Sequence, residues 1–131
     1  MPESPHLLPR EIAKLCYNAK WIDADRLFIA VAVCIAESNG YTEATHVNAD
    51  GSTDRGLWQI NNKAHPEMTD ADCFDPVKAT AYARKVYEGR SNTFTAWAAF
   101  NNGAYLGPRA APYAAQGIAN FLLTRHGLPI V

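Results

Sequence analysis

Residues 27–36 read LFIAVAVCIA, ten apolar residues without a break. Wound as a helix, such a run is apolar on nearly every face, so it must be surrounded by other elements and not laid on a surface. It is too short to span a bilayer, which leaves the interior of a globular fold as its place. The expectation is a central helix over roughly 25–37, with Asp23 or Asp25 available to cap its first N–H groups. At 131 residues, 48% of them hydrophobic and 19% charged, the chain can enclose that helix without metal or disulfide support. We read 1–131 as one domain.

The remaining elements follow from punctuation and period. Pro9 stands near the first position of a helix reaching about Lys20, with Ile12, Leu15 and Cys16 at helical spacing. Asn48, Asp50, Gly51 and Gly56 make residues 41–60 turn-dense, as a small hairpin or irregular sheet would be. Asp75–Pro76 opens a helix whose inner face is Ala79, Tyr82, Ala83, Val86 and Tyr87. A short helix near 95–101 and a last one near 112–125 complete the set. The last has Ala114, Ile118, Phe121 and Leu122 inward and stops at Gly127. The expected class is mainly α with a minor β element (α+β), the two parts enclosing a groove.

Two carboxylates flank the turn-dense segment. Glu37 follows the apolar run, so its side chain leaves the end of a buried helix, where desolvation favours the protonated form. It is also an acid at a helix C-terminus, against the helix dipole, a placement that needs a reason. Asp54 lies in NADGSTDRG, where Asn48, Ser52 and Asn61 can donate hydrogen bonds and favour the ionised form. A protonated acid opposite an ionised carboxylate suits cleavage of a glycosidic bond: one group protonates the leaving oxygen, the other stabilises or attacks the oxocarbenium-like centre.

The stretch from Glu37 to Asn61 resembles the active-site segment of chicken-type lysozymes, with the same separation between the carboxylates and no gap. GLWQIN, residues 56–61, is similar to the G-hydrophobic-x-Q-I-N signature of soluble lytic transglycosylases, and AWAAFNNG, residues 96–103, to their A-x-A-A-Y-N-A-G motif. The resemblance covers roughly residues 10–107 and points to the lysozyme-like superfamily, with phage wall-degrading enzymes as nearest relatives. It implies a β-1,4 cut between N-acetylmuramic acid and N-acetylglucosamine in peptidoglycan, with Glu37 as general acid and Asp54 as its catalytic partner. It also implies a substrate groove containing Ser38, Asn48, Ser52, Gln59, Asn61, Trp97, Phe100 and Asn101. Trp97 and Phe100 are expected beside the acid, and Trp58 and Tyr105 are either groove or core. A carboxylate separation of about 5 to 5.5 Å would allow a covalent glycosyl intermediate. Exclusion of water would instead let the sugar's own C6 hydroxyl close a 1,6-anhydro end.

Departures from the pattern carry meaning. Phe100 stands where the transglycosylase motif has tyrosine, removing a hydroxyl. Three cysteines, Cys16, Cys34 and Cys73, are too few for the chicken-type disulfide framework, and an odd count leaves one unpaired within the chain. Cys16 and Cys34, on the first two helices, are expected as small buried hydrophobes.

The net charge of -1 offers no electrostatic footprint for nucleic acid and little steering toward an anionic wall. His6, His46, His65 and His126 lack ligand spacing, so neither a zinc or calcium site nor a cofactor is expected; His46 borders the presumed groove. MPESPHLLPREIAK has no basic region followed by an apolar core, and no secretory leader is read there. The expected partners are peptidoglycan glycan strands, with no membrane and no nucleic acid. The expected protein is a monomer made in the cytoplasm, by analogy that of a phage host, acting on the wall alone or as part of a virion or larger lysin. Competing readings are a lytic transglycosylase, a chitin-directed glycosidase, and a non-catalytic glycan-binding virion domain.

Overall fold

The computed structural model describes residues 5–127, so residues 1–4, where the segment read for a leader begins, lie outside it. Helix α1 (Pro9–Asn18) starts at a proline, whose missing N–H has no partner to lose there. Leu8 has no acceptor in its side chain, and its own N–H is taken by the Glu11 carboxylate at 2.8 Å. Helix α2 (Ala24–Ser38) is capped by Asp23, which accepts from the Arg26 N–H at 3.1 Å. From Ala30 to Ile35 every residue of α2 is buried, as the unbroken apolar run requires. The helix ends where Asn39 turns left-handed, and Gly40 follows at φ +84°.

The turn-dense segment forms a three-stranded antiparallel sheet in the order β1 (Thr45–Val47), β2 (Thr53–Arg55), β3 (Ile60–Asn61). Its register pairs His46 with Asp54 and Asp54 with Asn61. Helix α3 (Asp70–Phe74) was not anticipated: it is one short turn between Thr69, its N-cap, and Asp75. Asp75 then caps α4 (Pro76–Gly89) through the N–H groups of Val77 and Lys78. The expected helix near 95–101 is shorter, α5 (Ala98–Asn101), followed by a 3-10 turn at Ala104–Leu106. Helix α6 (Ala111–Arg125) lies against α1 at Gly117, where an added Cβ would fall 2.6 Å from Pro9.

Helices α1, α2 and α6 bury the aliphatic half of the core. Its aromatic half is a cluster of Trp21, Trp58, Tyr87, Phe94 and Trp97, with ring centroids 4.7 to 6.2 Å apart. Trp58 Nε1 donates to Thr80 Oγ1 and Trp97 Nε1 to the Trp58 carbonyl, both at 3.0 Å, whereas the buried Trp21 Nε1 has no partner among the described residues. One inward reading fails: Leu122 is 40% exposed, because α6 turns Ala114, Gly117 and Phe121 to the core and leaves Leu122 at its edge. The three cysteines are buried and unpaired. The fold is mostly helical with a small antiparallel sheet, as expected.

Candidate active site

Glu37 occupies the last turn of α2, and its neighbour Ser38 closes that turn. The Ser38 hydroxyl is buried, donating to the Cys34 carbonyl at 3.1 Å and accepting from the Gly40 N–H at 3.3 Å. Helix α5 has Trp97 as its N-cap, and the Trp97 side chain offers the first N–H groups no acceptor. Glu37 supplies one from another element: its Oε2 accepts from the Ala99 N–H at 3.0 Å. Burial holds the Glu37 carboxyl above the ordinary glutamate range; the Ala99 bond works against this and the nearby charge of Asp54 adds to it. The acid thus stays protonated to higher pH than a free glutamate.

Asp54 sits in the middle of β2, between His46 on β1 and Asn61 on β3. Cross-strand partners share one face of a sheet, so these three side chains form a row. The Asn61 amide nitrogen donates to Asp54 Oδ1 and to Ser52 Oγ, each at 2.9 Å. Its oxygen accepts from the N–H groups of Lys63 and Ala64, which fixes the direction of the amide. Of the three candidate donors to Asp54, namely Asn48, Ser52 and Asn61, one reaches it. Ser52 gives its proton to Asp50 Oδ1 at 2.5 Å, and Asn48 donates to Ser52 Oγ at 3.2 Å; Asn61 alone of the three reaches Asp54. Two acidic residues, each two positions from Ser52, compete for the donors of this loop, and Ser52 gives both its hydroxyl and its N–H to Asp50.

The other anticipated residues take distinct places. Gln59, left-handed at φ +50°, donates its amide to the carbonyls of Ala44 and Gly56 and closes the β2–β3 turn. Trp58 is wholly buried and Trp97 nearly so, and both are core. Phe100 is half-buried and stacks on Tyr105 with centroids 5.3 Å apart. Asn101, exposed, donates to the Thr95 carbonyl at 2.8 Å. The contact to Glu37 comes from Ala99, between Trp97 and Phe100.

Arg55 is the positioning residue that the sequence did not disclose. Its guanidinium is buried, donating to the carbonyls of Ile60, His65 and Met68 and to the Asp70 carboxylate. It ties the loop after β3 to the strand that presents Asp54. An arginine in a turn-rich segment is read by default as solvated, and only Asp70 fifteen residues on hinted otherwise. Gly56 completes the anchoring: it is left-handed, and an added Cβ would lie 2.0 Å from the Cys73 carbonyl oxygen.

A mostly helical body with a small antiparallel sheet, a half-buried glutamate at the end of its central helix and an amide-braced aspartate on its middle strand is the arrangement of a lysozyme-like protein. The family model described as a lysozyme-like domain matches residues 14–99, more than half of the chain, and the chain belongs to that family. Its function in outline is that of a glycan-degrading, lysozyme-like domain. Among solved structures the fold is similar to the crystal structure of a lysozyme from Litopenaeus vannamei. The TM-score is 0.64 at 22% identity over 90% of this chain and 98% of that one. No curated protein sequence matches this one closely enough to count as a relative.

Proposed function

We propose that this protein is a muramidase, cutting the β-1,4 bond between N-acetylmuramic acid and N-acetylglucosamine in peptidoglycan, with Glu37 as its general acid. The observation that carries the reading is the pairing of unlike carboxyl groups. Glu37 is desolvated, held by a backbone N–H and raised in pKa, while Asp54 lies close enough for its charge to add to that shift. Glu37 gives its proton to the bridging oxygen as the bond from C1 to that oxygen breaks. Asp54 stabilises the positive charge that develops at the ring or bonds to C1, and water then attacks C1 and returns a proton to Glu37. The hydrogen bond from Asn61 holds the Asp54 carboxylate in a fixed place on β2, and a positioned second carboxylate supports hydrolysis over closure of an anhydro ring.

Mass spectrometry of the soluble products from peptidoglycan, with Glu37→Gln alongside, tests the reading. Reducing muramic ends are expected. Anhydro ends, lighter by one water, would make the protein a lytic transglycosylase. No products would point to a glycan-binding domain, and preferential cleavage of chitin oligomers to a chitin-directed glycosidase.

A further inference from the structure

Between β3 and α3 the chain runs from Asn62 to Thr69 through turns alone, and it contains no cysteine that could tie it down. Side chains from two other elements hold it. From β2, Arg55 takes the carbonyls of His65 and Met68. From α4, the half-buried Tyr82 bonds two loop side chains at once: its hydroxyl donates to the Glu67 carboxylate, and its oxygen lies 2.8 Å from His65 Nδ1. That bond holds the Glu67 carboxyl below the ordinary glutamate range, so Glu67 is an acceptor only. The one phenol proton goes to Glu67, so His65 Nδ1 must carry the proton of the second bond, which fixes the imidazole tautomer. The two rings also meet edge to face, with centroids 5.3 Å apart.

We infer that Tyr82 is a positioning residue for Asp54, acting through this loop and Asn61. The inference rests on the muramidase reading above, in which Asp54 is the partner of Glu37. The first residues of the loop orient Asn61: the N–H groups of Lys63 and Ala64 bond its Oδ1 at 2.9 and 3.0 Å, and the His65 N–H returns to its carbonyl at 2.9 Å. With its oxygen held there, the amide nitrogen of Asn61 faces Asp54 Oδ1. The path is therefore continuous, from the phenol to His65, from the backbone around His65 to Asn61, and from the Asn61 amide to Asp54. A segment of turns has few backbone bonds of its own, so its place is set by the groups that grip it. Without the Tyr82 hydroxyl, His65 and Glu67 turn to water, and the loop can carry Lys63 and Ala64 off the Asn61 oxygen. Small displacements of a reacting group are costly in rate.

The test measures kcat and KM on soluble peptidoglycan strands for the native protein, Tyr82→Phe, Asn61→Ala and the double variant, with urea unfolding to fix the folded fraction. Tyr82→Phe keeps the ring contact to His65 and loses the hydroxyl; it should lower kcat about tenfold and leave KM within about twofold. In the Asn61→Ala background, where the link is already cut, it should lower kcat by less than about twofold. Glu67, whose side chain is 59% exposed, gives a second pair of variants: Glu67→Gln keeps an acceptor for the phenol and should hold the native kcat, and Glu67→Leu should share the loss. A kcat for Tyr82→Phe within about twofold of native, a loss of about tenfold that recurs beside Asn61→Ala, or equal kcat in the two Glu67 variants would overturn the inference while the muramidase reading stands. No cleavage by the native protein would overturn both.

Discussion

Glu37 and Ala99 lie 62 residues apart in the chain, and the N–H of one meets the carboxylate of the other at 3.0 Å. The bond joins the end of the central helix to the start of α5, so one side chain serves as helix cap and as the proposed proton donor. Glutamine keeps an oxygen for Ala99 but has no proton to give. Glu37→Gln should therefore fold normally and lose cleavage by at least about a hundredfold, the lower range of general-acid contributions. Product release from peptidoglycan measures it, and substantial remaining turnover would remove Glu37 from its assigned role.

The same carboxyl group makes stability depend on pH in a stated direction. Its folded pKa lies above the ordinary glutamate value, so between the unfolded and folded values the native state holds a proton that the unfolded chain has lost. Stability therefore falls as pH rises through that window and levels off above the folded value. Glu37→Gln escapes this loss, so it should melt higher than the native protein at pH 7 and with it near pH 4. Asp23, Asp50, Glu67 and Asp72, whose pKa values are lowered, act in the opposite sense but are common to both proteins and cancel in the comparison. Equal melting temperatures at pH 7 would contradict the desolvated placement of Glu37.

Asp54→Asn separates charge from shape. The asparagine oxygen can still accept from Asn61, so β2 and β3 should stay in register. A nucleophile or charge stabiliser lost in this way should lower kcat by about a hundredfold or more. A loss below about tenfold would leave Asp54 as a strand residue held by Asn61.

Arg55→Met would strip hydrogen bonds from the carbonyls of Ile60, His65 and Met68 around a buried site. Leaving such acceptors unmatched should cost about 3 kcal/mol in urea unfolding. Asp70→Asn should cost less than about 1 kcal/mol, since the Asp70 side chain is 74% exposed and its ion pair is screened on that side. Equal losses in the two variants would mean that the ion pair and not the carbonyl set anchors the loop.

Gly56→Ala probes the turn two residues beyond Asp54. The substitution combines a left-handed backbone at φ +77° with a clash against the Cys73 carbonyl. It should destabilise by about 3 kcal/mol and reduce cleavage through displacement of Asp54. Native stability in this variant would contradict the close approach of the β2–β3 turn to α3.

The parts of this protein that could be read along the chain are those whose causes are local. The apolar run from Leu27 to Ala36, the cap at Asp23, and the prolines at 9 and 76 placed α1, α2 and α4. The spacing from Glu37 to Asp54, with GLWQIN after it, marked the two carboxylates before any contact was known. Other features depend on which segments meet in space, and residue types do not encode that. A backbone N–H carries no identity, so nothing marked Ala99 as the partner of Glu37. Asp50 competes with Asp54 for the donors Ser52, Asn48 and Asn61, and the sheet register decides that only Asn61 reaches Asp54. The burial of Arg55 follows from carbonyls converging from Ile60 of β3 and from His65 and Met68 in the loop beyond it, and the exposure of Leu122 from the rotation of α6 that seats Gly117 on Pro9. Local preference selects the elements, whereas the matching of buried polar groups between them is a three-dimensional condition that only the assembled fold satisfies.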